Sequence, residues 1–233
     1  GPPDLYIRNL YECLKVAGNR GHLCIPTGNH DFQRIRCGRR DAEEQVRTAI
    51  VFFLTQPGVP CIYYGDEIGM RFIDGLPNKE GSMLSRGNRA GSRTPMQWDA
   101  TPGAGFSTAS SDKFYLPLDS LDNRPNVAVQ ERDSASQLHF VRRLLKLRRE
   151  YPALACRGGI EFFQEGKNAY PMVYERRKDG QRILICINPS GRKVKTVRKY
   201  AGSFKTITPI LTEGKEQGLK VRKGLLYLDV PEL

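Results

Sequence analysis

Two short runs that never alternate between apolar and polar residues, 22–25 (His-Leu-Cys-Ile) and 59–64 (Val-Pro-Cys-Ile-Tyr-Tyr), constrain this chain more than any other feature. A strand with one wet face shows a polar residue at every second position. A strand buried on both faces reads as a continuous apolar run, and such strands belong to parallel sheets covered by helices. Each run follows an amphipathic helical pattern. The first pattern sets Ile7, Leu10, Leu14 and Ala17 on one face, with Asp4 as cap and Gly18 as stop. The second opens on Asp41 and Glu44, spaced as in a capping box, and presents Val46, Ala49, Ile50, Phe53 and Leu54 before Gln56-Pro57-Gly58 ends it. Helix, strand, helix, strand in this order predicts an α/β architecture.

A polar stretch rich in Gly and Pro follows over residues 71–125, a length that marks a functional or a disordered loop. Ser134 and Gln137 then open a third helix that carries Phe140, Leu144 and Leu147 and stops at Tyr151-Pro152. Beyond it the pattern changes. Residues 160–163, 172–176, 182–187, 194–197, 204–207 and 225–230 are short strand-like runs separated by turn residues, the pattern of a small antiparallel β-sandwich. The predicted organisation is α/β followed by all-β, with domains over 1–154 and 155–233.

The formal charge of +12 raises the question of nucleic acid. The excess sits on the polar face of the third helix (Arg142, Arg143, Lys146, Arg148, Arg149) and around turns at 176–178 and 192–199, without any nucleic-acid-binding signature. The expectation is therefore solvated surface and no nucleic-acid partner. No apolar run approaches the ~20 residues that span a bilayer, so no membrane partner is expected. The six cysteines lack C-x-x-C pairs and several lie in apolar runs. That predicts buried free thiols, a reducing compartment and a cytoplasmic location. His22 and His139 have no metal-ligand spacing, so neither a metal nor a cofactor is expected.

The chemistry gathers where the first apolar run ends. Asn29-His30-Asp31 stands past the C-terminal end of a predicted parallel strand, the edge where side chains of α/β folds converge on substrate. Alone, an Asn and an Asp after a strand are more often a turn and a helix cap than a site. Asp66 and Glu67 end the second run. As sequence neighbours they start on opposite sides of the strand and are expected to hold the loop rather than to act as a catalytic pair. Trp98, the only tryptophan, reads either as a sugar-stacking group or as an anchor for the long loop.

Taken in order, four segments resemble the α-amylase superfamily. His30-Asp31 with Arg34 is similar to its fourth sequence region, and residues 58–69 to its eighth barrel strand and following loop. Arg93-Thr94-Pro95-Met96-Gln97-Trp98-Asp99, with Gly105-Phe106-Ser107, resembles the α-glucosidase and trehalose-synthase branch. Residues 144–154 are similar to the last barrel helix. The resemblance implies the last two strand–helix units of a (β/α)8 barrel and a trailing β-sandwich, with most of the barrel upstream. It implies a retaining enzyme of α-glucan or maltooligosaccharide metabolism whose nucleophile and acid are not in this sequence. By position Asp31 matches the third family carboxylate, which stabilises the transition state. His30 matches the adjacent sugar-binding histidine, and Arg34 is placed to orient the carboxylate or contact sugar. Two further expectations follow: the isolated chain is inactive, and it self-associates through its open barrel edge. A non-catalytic carbohydrate-binding or assembly module is the alternative.

Overall fold

The computed structural model describes residues 3–38, 40–77, 89–163, 170–200, 207–212, 218–222 and 225–230. They fall into two compact units, each assembled from discontinuous stretches of chain. One comprises residues 1–24, 55–59 and 147–233; the other comprises 25–54 and 60–146.

The elements run α1 (Pro3–Ala17), β1 (Cys24–Pro26), α2 (Glu43–Thr55), β2 (Val59–Cys61), α3 (Val127–Glu131), α4 (Gln137–Glu150), then β3 (Gly159–Phe162), β4 (Met172–Lys178), β5 (Gln181–Ile187), β6 (Val194–Lys199), β7 (Gly218–Arg222) and β8 (Leu225–Val230). β1 and β2 pair. The Val59 amide donates to the Leu23 carbonyl and the Thr27 amide to the Cys61 carbonyl, so the register climbs the same way along both strands, as in a parallel pair.

The helices form where the apolar spacing placed them, with different caps. Asp4 lies inside the first turn of α1, where its charge favours the helix N-terminus. Asp41 instead accepts from the Arg36 guanidinium at 3.0 Å. Ser136, rather than Ser134, caps α4: its hydroxyl accepts from the His139 amide at 3.4 Å.

The two parallel strands depart from expectation. Both show an exposed, half-buried, exposed pattern, and Val59 is 44% exposed. Their continuous apolar character is that of strands covered on both faces, yet within this chain one set of side chains stays in solvent. The cysteine expectation is corrected for the same reason. Cys13, Cys24 and Cys61 are exposed, and of the six only Cys37 is buried.

In the unit that holds the C-terminal residues, two three-stranded antiparallel sheets form, in the orders β3-β4-β5 and β6-β8-β7. They share one apolar core of Val173, Tyr200, Leu226, Leu228 and Val230, with Leu184, Cys186, Leu219 and Val221 packed against it. The expected strand at 204–207 lies outside the described residues apart from Ile207. β7 was not anticipated, because its Gly, Lys and Arg residues mask the alternation of Leu219 and Val221.

The cationic runs are not all solvated surface. Arg176 is wholly buried and donates to the carbonyls of Thr55, Ala155 and Gly158; burial pushes its pKa down to about 10. Arg148 bonds the Gln56 carbonyl at 2.9 Å and also that of Gly58. Where a helix ends inside protein, its last carbonyls need donors, and these arginines supply them.

Candidate active site

The site lies within the unit of residues 25–54 and 60–146, in the segments that follow β1 and β2. Thr27 ties the two segments together. Its hydroxyl donates to Asp66 Oδ2 at 2.7 Å and accepts from the Tyr63 amide at 2.9 Å. Asp66 begins a single 3-10 turn (Asp66–Ile68) behind Gly65, whose φ of +84° favours glycine. A side chain there would also meet Met70 Sδ at 2.3 Å. Asp66 is closed to solvent, and burial pushes its pKa up to about 6 against the opposing effects of Thr27 and Arg34.

Two residues past Thr27, the Asn29 side chain accepts from the amides of Asp31 at 2.8 Å and Phe32 at 3.2 Å, the turn such an Asn favours. The turn presents Asp31 with 43% of its side chain open, so a ligand can reach the carboxylate. Arg89 Nη1 meets Asp31 Oδ1 at 2.7 Å and Arg93 Nη2 meets the same oxygen at 3.2 Å. His30 Nε2 lies 3.5 Å from Oδ2. The Arg89 hydrogen bond, helped by the charges of His30, Arg89 and Arg93, holds the Asp31 carboxyl below the usual range. Asp31 is therefore an anion at neutral pH.

Arg34 stands elsewhere. Its side chain is wholly buried and its Nη2 donates to the Ser92 carbonyl at 3.0 Å; Nη1 donates to the Tyr64 carbonyl and lies 3.5 Å from Asp66 Oδ1. The guanidinium also lies over the rings of Tyr63 (4.9 Å) and Tyr64 (4.6 Å). With its side chain closed to solvent and bonded to the segments of Tyr64 and Ser92, Arg34 frames the site. The Tyr63 hydroxyl reaches the Ser92 carbonyl at 3.1 Å, and that of Tyr64 reaches the Thr94 carbonyl at 2.8 Å. Arg34 and the two tyrosines thus fix the segment that delivers Arg89 and Arg93 to Asp31.

The structure therefore unites His30 with Asp31 and assigns Arg34 to Asp66. Arg89 and Arg93 were not anticipated. The available signal was a pair of arginines four residues apart in a Gly- and Ser-rich loop, beside a carboxylate that needed cations. Trp98 is half exposed, and its backbone ties the loop through the Ala104 carbonyl and the Ala128 amide. Among the described residues no group of three or more His, Cys, Asp and Glu side chains is placed to hold a metal ion. No helix among them is long and apolar enough to cross a membrane.

Paired parallel strands with an exposed, arginine-held carboxylate in the segment after the first strand define an α/β protein whose polar groups gather past its strand ends. Residues 6–157 match the alpha amylase catalytic domain, and the chain belongs to that family, in the branch that holds α-glucosidases and trehalose synthases. It is 35% identical over 197 residues to a trehalose synthase/amylase of Mycobacterium tuberculosis, covering 80% of this chain and 30% of that protein. It is 32% identical over 174 residues to a salivary alpha-glucosidase of Aedes aegypti, covering 71% of this chain and 28% of that one. The chain thus spans about 30% of the length of these curated relatives. Among solved structures, an isomaltulose synthase mutant from Erwinia rhapontici, in complex with its natural substrate sucrose, superposes with a TM-score of 0.78. At 22% identity, over 97% of this chain and 44% of that one, it shows a shared fold.

Proposed function

We propose that this chain supplies the charge-stabilising carboxylate, Asp31, of a retaining enzyme that hydrolyses or transfers α-glucosyl units of α-glucans or maltooligosaccharides. The chain would form the last two strand–helix units of the family's barrel and a following β-sandwich. The observation that carries this reading is an anionic, solvent-open Asp31 beside His30, fixed by two arginines. Glycosyl transfer passes through a positively charged, oxocarbenium-like state, and a preorganised anion next to it lowers the barrier. His30, 67% open at its side chain, is the neighbouring group for sugar hydroxyls.

Double displacement also needs a nucleophile and an acid about 5–5.5 Å apart. Asp66 is closed to solvent and engaged with Thr27, so it fills neither role. In this reading both come from polypeptide beyond the 233 residues, and the chain alone is inactive.

The test expresses the chain with whatever sequence its gene encodes before it and assays p-nitrophenyl α-glucoside and maltose. Asp31→Ala should lower kcat by orders of magnitude with the fold intact, because its charge matters most in the transition state. An effect on KM alone would make Asp31 a binding residue. Turnover by the isolated 233-residue chain would overturn the assignment of the missing carboxylates.

A further inference from the structure

We propose that a cavity bounded by β3, β4, β5 and Tyr200 is a second, non-catalytic sugar site, which takes a glucosyl unit of an α-glucan. The choice of sugar rests on the α-glucan reading above, and the site rests on its own geometry. The cavity holds about 520 Å³, and its walls belong wholly to the unit of the C-terminal residues. That volume lies within the range of small-molecule sites, roughly 300–1,000 Å³.

Strand register decides which side chains share the cavity wall. Glu161 on β3 stands opposite Glu175 on β4, and Arg177 on β4 stands opposite Arg182 on β5. Directly opposed residues, and residues two apart on one strand, project from the same face of a sheet. All four charged groups therefore leave the same side. Val173 and Leu184 leave it too, and they pack into the core shared with the β6-β8-β7 sheet. Along this face, then, the apolar core gives way to charged groups as β4 approaches its turn. That turn is tight, with φ of 51° at Asp179 and 78° at Gly180, and it keeps Arg177 and Arg182 opposed.

Two arginines directly opposite each other repel, and each is held by a carboxylate. Arg177 Nη1 lies 3.1 Å from Glu161 Oε2. Arg182 Nε reaches the two oxygens of Glu175 at 3.1 and 3.0 Å, and its Nη2 lies 3.0 Å from Oε2. The Tyr200 hydroxyl also donates to Glu175, whose side chain has no exposed surface. A buried charge network is no better a tie between strands than apolar residues of the same volume. What it does supply is a guanidinium fixed from behind by a buried anion, with 34% of the Arg182 side chain still open.

The balance of charge selects the ligand. Arg177, Lys178 and Arg182 offset Glu161, Glu175 and Asp179, so the wall attracts neither an anion nor a cation. It offers fixed donors and acceptors beside an aromatic patch, where Phe163 packs against Tyr200 with centroids 5.0 Å apart and Arg182 lies 5.3 Å over the Tyr200 ring. A neutral sugar matches this set. Its adjacent hydroxyls can accept from a guanidinium and donate to a carboxylate, and its C–H face suits a ring.

Amide NMR shifts of the 233-residue chain titrated with maltotriose read this site directly. The amides of 159–163 and 177–182 should move saturably. Arg177→Ala and, independently, Glu161→Gln should each weaken the fitted Kd by about tenfold. Their urea midpoints should stay in place, because an exposed pair adds little stability. Asp31→Asn should leave the titration as it is. No movement of these amides, equal movement with sorbitol, or undiminished binding in both variants overturns the proposal. Saturation by inorganic phosphate but not by maltotriose would make the cavity an anion site and overturns it as well. Maltotriose binding here alongside an Asp31→Ala enzyme of full activity would remove the catalytic reading and leave this site standing; the opposite pair of results would remove this site alone.

Discussion

Arg34 Nη1 stands 3.5 Å from Asp66 Oδ1, and neither side chain has any exposed surface. The pair links the segment after β1 to the segment after β2, and through the Ser92 carbonyl it also holds the loop that carries Arg93. Removing one partner of a buried pair leaves the other charge uncompensated, at a cost of about 3–5 kcal/mol. Arg34→Met should lose stability on that scale in urea denaturation. A variant of full stability whose only defect is a raised KM in the active enzyme would restore Arg34 as a sugar contact.

Asp66 makes stability depend on pH in the direction opposite to most carboxylates. Its folded pKa of about 6 lies above the ordinary 3.8. The native state therefore binds the proton more tightly, and this contribution is full below about pH 4 and lost as pH rises through 6. A shift of roughly two units corresponds to about 3 kcal/mol. Asp66→Asn carries no titrating group, so its stability relative to the unmodified chain should improve by roughly 2 kcal/mol between pH 4 and pH 7. Urea midpoints across that range measure it, and a flat difference would show that Asp66 titrates normally.

Asp31 should behave in the opposite sense. Arg89 first, then the nearby charges of His30 and Arg93, hold its pKa below the ordinary 3.8. A carboxyl-carbon NMR titration should place its midpoint below that value, and Arg89→Ala should raise it. In the active enzyme the acid limb of the pH profile should then move upward in Arg89→Ala and stay fixed in a control such as Lys113→Ala, whose side chain pairs with Asp112.

How much of this was legible depends on what each residue had to satisfy. Helix faces and most strands followed from periodicity, because burying Val46, Ile50 and Leu54 or Leu226, Leu228 and Val230 is a requirement visible along the chain. The turn that exposes His30 and Asp31 was legible from its place after an apolar run, while its reading as a site rests on the resemblance to the family. Arg89 and Arg93 were not, because an arginine in a polar loop looks the same whether it meets water or a carboxylate 58 or 62 residues away. Arg176 misled for the converse reason: it sits in a run of three cations, and only the three-dimensional need for donors to the Thr55, Ala155 and Gly158 carbonyls takes it inside. Ser136 and Asp41 show that caps depend on geometry that spacing alone does not resolve.

The exposed side of β1 and β2 gives the last expectation, that the chain self-associates. Cys24 and Pro26 on one strand, and Val59 and Cys61 on the other, are exposed although their sequence is that of strands covered on both faces. Among the described residues the sheet has these two strands, so each presents one edge of backbone groups without a neighbouring described strand. Such edges pair readily with another chain, and an apolar surface beside them adds a driving force that grows with the area covered. The two antiparallel sheets have their own shared core. Light scattering at about 10 μM should therefore give the mass of two chains or more. Val59→Lys places a charge on an exposed position, where it costs the fold little and opposes edge pairing, and it should shift the chain toward monomer. A monomer in the unmodified chain, with the amides of Ile25, Thr27, Val59 and Cys61 protected from hydrogen exchange, would show that the strands are stable uncovered and would overturn the expectation.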